Sequence, residues 1–124
     1  MRYAVLWYVI GALLLLAVII GSLVPVPRID AAPNDKLVHF LIYFLLMAWF
    51  GQLQSRRRWL VLGFMSLGLL LELIQGQTRY RTFEWYDVAA NSAGVLAAWG
   101  VVMTPLGQVI TRIDQWLQAR QVNI

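Results

Sequence analysis

The chain has 124 residues, 60% of them hydrophobic and 13% charged, with a net charge of +4 and a mean hydropathy of +0.67. That is one domain's length and too apolar to coat a soluble surface, which points to an all-α integral membrane protein. The absence of cysteine excludes a disulfide scaffold, thiolate metal sites and thiol catalysis. No basic stripe interleaved with base-stacking rings is present, so nucleic acid is not an expected partner.

The first apolar run extends from about Tyr3 to Val24, and Pro25 and Pro27 stop it. At about 20 residues it can span a hydrocarbon core of roughly 30 Å. It reads as an uncleaved helix rather than a signal peptide, because its apolar core is too long and no small-x-small cleavage pair follows closely. A short loop leads to a second helix over about 36–53, with Asn34 or Asp35 able to cap it. Arg56, Arg57 and Arg58 mark a tight basic turn before a third helix over about 59–75, which Gly76 is placed to stop. A fourth helix is predicted over about 86–104, ended or kinked by Pro105. Residues 1–104 thus form a four-transmembrane-helix bundle. Over 105–124, Leu106, Val109, Ile110, Ile113, Trp116 and Leu117 make an apolar stripe opposite Gln108, Arg112, Gln115 and Gln118, the pattern of a surface-lying amphipathic helix.

The arginine-rich turn is the strongest orientation signal, because its loop is short. With four spans it shares a side with Arg2, Arg112 and Arg120, which places both termini in the cytoplasm of a bacterial inner membrane. Three polar clusters then fall together on the outer side. On the second helix, Asp35, His39 and Tyr43 are spaced i, i+4, i+8, with Lys36 beside them. On the third, Gly68, Glu72 and Gln75 share a face; on the fourth, Asp87, Asn91 and Gly94 do.

Ionisable groups at membrane depth are unfavourable unless paired, so Glu72 needs a cation or a proton; Lys36, His39 and Arg81 are the candidate partners. Tyr43 is placed to orient His39, and Asn91 to bond across to the third helix. Lys36 and Arg81 suit an anionic headgroup, while His39, Glu72 and Asp87 suit proton transfer. Ordinary packing explains part of the pattern. Gly94, within the Ala90, Gly94, Ala98 stripe, reads as a close helix contact, and Tyr80, Trp85 and Tyr86 as an aromatic belt. His39, Glu72 and Asp87 form a weak case for a metal site, since no second histidine accompanies them; no metal or cofactor is assigned.

These residues carry a resemblance to the VanZ-like family of small bacterial membrane proteins. The family pattern is Asp-Lys-x-x-His-Phe with a following Tyr, then Glu-x-x-Gln, an Arg, and Asp-x-x-x-Asn-x-x-Gly. Asp35, Lys36, His39, Phe40, Tyr43, Glu72, Gln75, Arg81, Asp87, Asn91 and Gly94 stand at those spacings. The resemblance covers roughly 33–98, and the three motifs together are more specific than any one of them. The family is named for a protein that gives low-level resistance to teicoplanin, which acts outside the cell; the resemblance does not extend resistance to this chain.

Three functions follow as expectations. The first is binding of an anionic lipid headgroup or a polyprenyl-phosphate-linked envelope precursor, with His39, Glu72 and Asp87 as acid–base groups and Lys36, Arg81, Asp35, Tyr43, Gln75 and Asn91 as binding groups. The second is a membrane-embedded transferase or hydrolase. The third is a structural or accessory subunit whose polar cluster locks the helices. Membrane lipids are the expected partners, and homo-oligomers or protein partners stay open. A channel is disfavoured, because few polar positions run the length of the helices.

Overall fold

A computed structural model of the chain describes residues 2–23, 35–77 and 83–122. All the described elements are helical: α1 (Ala4–Leu23), α2 (Asp35–Leu53), α3 (Arg57–Gly76), α4 (Trp85–Val102), a 3-10 turn (Pro105–Gln108) and α5 (Val109–Val122). The four expected long helices are present, with ends shifted by one or two residues, while the expected C-terminal helix begins with a 3-10 turn and becomes α-helical only at Val109. α3 starts at Arg57 because the arginines, though polar, already take helical geometry, and Arg57 Nε donates to the Gly51 carbonyl at 2.8 Å across the turn. Asn34, one of two expected caps for α2, lies outside the described residues.

α1, α2 and α3 are each long and apolar enough to cross a membrane. α4 reaches that threshold only together with the C-terminal segment, from which an 82° bend separates it, so three helices, or up to four if that bent pair counts as one, are long and apolar enough to span among the described residues. Asp87 and Asn91 dilute the apolar character of α4, and both are buried inside the bundle. Polarity is inverted relative to a water-soluble domain. Glu72, Gln75, Asp87 and Asn91 are buried, while Leu13, Leu41, Leu62 and Leu70 are exposed on the outer faces. Hydrocarbon is the solvent such a surface fits.

The core is formed by Tyr43, Leu46 and Met47 of α2, Val61 and Phe64 of α3, and Val95 and Ala98 of α4. α2 and α4 make the most extensive interface. Gly94 permits it: a Cβ there would overlap the Phe40 carbonyl and come within 3.0 Å of the Phe44 nitrogen. The expected small-residue packing stripe is therefore a backbone-to-backbone contact.

Thr104 shapes the bend. Its hydroxyl donates to the Val101 carbonyl at 2.5 Å and accepts from Leu106 N–H at 3.3 Å, so α4 ends at Val102, two residues before the expected end. Gly107 then folds against the end of α4, where a Cβ would overlap the Val102 carbonyl. α5 is thereby turned across the base of the bundle. Its bundle-facing side carries Ile110 and Asp114, both buried, while Leu106, Val109, Ile113 and Trp116 remain exposed. Gln52 accepts from Ile110 N–H at 2.9 Å. The Asp114 carboxylate accepts from Arg2 N–H at 3.2 Å, Tyr3 N–H at 3.0 Å and the Trp7 indole at 2.7 Å, and also from the Gln118 amide. Burial raises its pKa, but these donors more than offset that and hold the carboxyl below its ordinary range.

Candidate functional site

The mouth of the bundle, at the end opposite α5, is assembled from one end each of α2, α3 and α4. Gly76 lets the incoming chain fold back over the end of α3, with Phe83 in contact: a Cβ at Gly76 would stand 2.9 Å from that of Phe83. Phe83 and Trp85 meet edge to face at 4.8 Å. This return brings the Glu84 N–H to Glu72 Oε1 at 2.9 Å. Glu72, buried one turn inside α3, thus has a main-chain donor that the residue pattern did not suggest.

Lys36, one of three candidate partners for Glu72, binds Glu84 Oε2 at 2.5 Å and also Asp87. The two carboxylates differ in setting. The Asp87 side chain is 1% exposed and that of Glu84 is 37% exposed, against 40% for Lys36. Lys36 therefore bridges an inner, fixed acid and an outer, hydrated one.

His39 sits between α4 side chains. Its Nδ1 is 3.1 Å from Asn91 Oδ1. Its Nε2 faces Asp87 Oδ2 at 3.7 Å. Asn91 rather than Tyr43 makes the hydrogen bond that orients the ring, and Asn91 reaches α2 instead of bonding across to α3. Asn91 and Tyr43 both pack over Gly68, where a Cβ would come within 3.2 and 3.3 Å of them. Gln75 Nε2 donates to the Ser22 carbonyl of α1 at 2.7 Å.

Lys36, His39, Glu72, Gln75, Asp87 and Asn91, drawn from three separate motifs, therefore meet at one end of the bundle. The Asp35 side chain and Arg81 lie outside the described residues. Among the described residues, no group of three His, Cys, Asp or Glu side chains is placed to hold a metal ion. Glu84, Ser22 and Asp114 are functional or anchoring groups absent from the expected set.

A cavity of about 400 Å³ opens beside this cluster, between α1 and the α2–α3 pair. His39, Tyr43, Glu72, Gln75 and Asn91 contribute its polar lining; most of the rest is aliphatic.

Comparison with known proteins places the chain in a family. The VanZ/LLP1 family profile matches residues 7–108. A curated relative, the uncharacterized protein C11E3.10 of Schizosaccharomyces pombe, is 33% identical over 101 residues, covering 76% of this chain and 62% of the relative. The chain thus spans less than two thirds of that relative's length. No solved structure matches. The motif residues gathered at the mouth fall within the matched span, and the chain belongs to the VanZ/LLP1 family.

Proposed function

We propose that this VanZ-family membrane protein binds an anionic lipid headgroup, or that of a lipid-linked cell-envelope precursor, at the mouth of the bundle. The observation that carries this reading is the unequal bridge on Lys36. Asp87 is buried and fixes the ammonium group, while the hydrated Glu84 is the ligand that an incoming phosphate oxygen replaces. Such an exchange keeps Lys36 paired throughout, so no desolvated charge is left alone. Arg81 is the second expected cation.

The test is lipid retention, measured by native mass spectrometry on protein from bilayer nanodiscs. Phosphatidylglycerol should be retained over phosphatidylcholine, Lys36→Ala should erase the preference, and Glu84→Gln should increase it. Equal retention of both lipids by the unmodified chain would sink the reading.

On this reading the mouth faces the cell exterior and both termini the cytoplasm of the inner membrane. Single cysteines at Ser55 and Gln77 test the orientation, since the chain has no cysteine of its own. A membrane-impermeant thiol reagent added to intact cells should label the cysteine at 77 and spare that at 55; the reverse pattern refutes the orientation.

A second reading, a membrane-embedded transferase or hydrolase, is favoured by the state of His39. Its ring lies between an amide and a carboxylate, with Nδ1 3.1 Å from Asn91 Oδ1 and Nε2 3.7 Å from Asp87 Oδ2, a setting that suits proton transfer. Release of phosphate from polyprenyl or phosphatidyl phosphates by purified protein, abolished in His39→Gln, would support it. Lipids recovered unchanged under both conditions would count against it.

A further inference from the structure

The cavity extends well below the polar cluster. On α1 it is lined from Leu14 to Ser22 and on α2 from Val38 to Leu46. Eight residues of helix at a rise of 1.5 Å each give it a depth of about 12 Å along the bundle. Its volume falls within the range of small-molecule pockets, roughly 300–1,000 Å³.

Its shape follows from how α1 is held. At the base, Asp114 binds the start of α1, the Trp49 indole donates to the Trp7 carbonyl at 2.9 Å, and Gly11 packs against Phe50. At the mouth, Gln75 holds the Ser22 carbonyl. Between these fastenings α1 presents small side chains at Ala17, Gly21 and Ser22 to the cavity. A Cβ at Gly21 would meet nothing within 4 Å. The helix is fastened at both ends, and between them Leu14, Leu15 and Val18 pack against the core while the small residues beside them leave room.

The lining is also polarised. Its buried polar side chains, Glu72, Gln75 and Asn91, accompany His39 toward the mouth, and the deep end is formed by Leu14, Leu45 and Leu46. Water is a poor occupant for that deep end, because buried water needs two to four polar partners. A bilayer supplies hydrocarbon chains at this depth.

We propose that the cavity is the seat of a single hydrocarbon chain, acyl or prenyl, of a membrane lipid, with the lipid's polar end at His39, Glu72 and Gln75. The chain lies between α1 and the α2–α3 pair and is reached sideways from the bilayer. This proposal deepens the headgroup reading, and for the position of the lipid's polar end it rests on it; the chain seat itself is separable.

The experiment uses the full-length protein in nanodiscs containing a trace of phospholipid with a diazirine at the end of one acyl chain. Adducts are mapped by peptide mass spectrometry. They should concentrate on the cavity segments around residues 14–18 and 42–46. Gly21→Trp, which fills the cavity, should lower that labelling roughly tenfold, the ratio corresponding to 1.4 kcal/mol of lost binding. Ala17→Leu should lower it less and serves as the milder variant where Gly21→Trp does not fold. Leu16→Trp, on the exposed face of α1 opposite the cavity, should leave it unchanged.

Labelling spread evenly over the exposed faces, or cavity labelling insensitive to both filling variants, would overturn the proposal. Glycerol and choline headgroups separate the two ideas. Cavity adducts from both lipids alike support the chain seat and dismiss the headgroup preference. A glycerol preference in retention without cavity adducts overturns the chain seat and leaves the headgroup reading standing.

Discussion

The two ends of the bundle each bury carboxylates, and they satisfy them differently. At the base, Asp114 accepts from two main-chain N–H groups, an indole and an amide. At the mouth, Asp87 shares the partly exposed Lys36 with Glu84 and faces a histidine. A carboxylate surrounded by fixed neutral donors ties elements together. One that shares a hydrated ammonium with a competing acid belongs to a group whose partners can change. The base reads as a fastening and the mouth as a site.

The glycines beneath each end give the strongest test of that contrast. Gly94→Ala and Gly107→Ala both place a methyl group on a backbone carbonyl, of Phe40 and Val102 respectively. Each should be destabilising by roughly 1–3 kcal/mol or more, the usual cost of overpacking. Gly94→Ala should also lower lipid retention per folded molecule, because it separates the helices carrying Lys36, His39 and Asp87. Gly107→Ala should leave retention intact. Thermal melts paired with native mass spectrometry read both effects.

Lys36→Ala comes next. Its partial exposure places the cost between the surface and buried limits, roughly 1–3 kcal/mol. Loss of the anionic-lipid preference should exceed what the lowered melting temperature explains.

Acid should loosen the base. The Asp114 carboxyl is held below its ordinary value, so its contribution to stability is complete above an unfolded pKa of about 4. That contribution is lost as pH falls through the folded pKa. Hydrogen exchange in α5 and at residues 2–7 should therefore accelerate only below about pH 4, and Asp114→Asn should remove that acid limb.

The smallest expected effect on stability is that of Glu84→Gln, within about 1 kcal/mol, because the main-chain N–H that holds Glu72 is retained. Retention of anionic lipid should rise, detectable as a longer-lived complex. A fall instead would mean that Glu84 orients Lys36 rather than competing for it.

Much of this architecture was legible in the residues. Apolar runs and proline placement located the helices, and helical spacing put His39, Glu72, Asp87 and Asn91 on inward faces. What escaped reading were partners reached through irregular chain. Glu84 precedes α4, and its approach to Glu72 depends on a loop return that no periodicity encodes. Asp114 fell among residues that alternate with an apolar stripe, and three of its four donors are 107 to 112 residues away in sequence. The end of α4 was misplaced because the Thr104 cap, a local hydrogen-bonding choice, overrides the apolar run that continues past it.

The tie between α5 and the start of α1 has a consequence for biogenesis. Because the carboxylate of Asp114 follows the start of α1 by more than 100 residues, that tie can form only after α2 and α3, whose Trp49 and Gln75 also bond α1, have been made. The first helix is therefore secured in stages, with its hold on α5 the last of them.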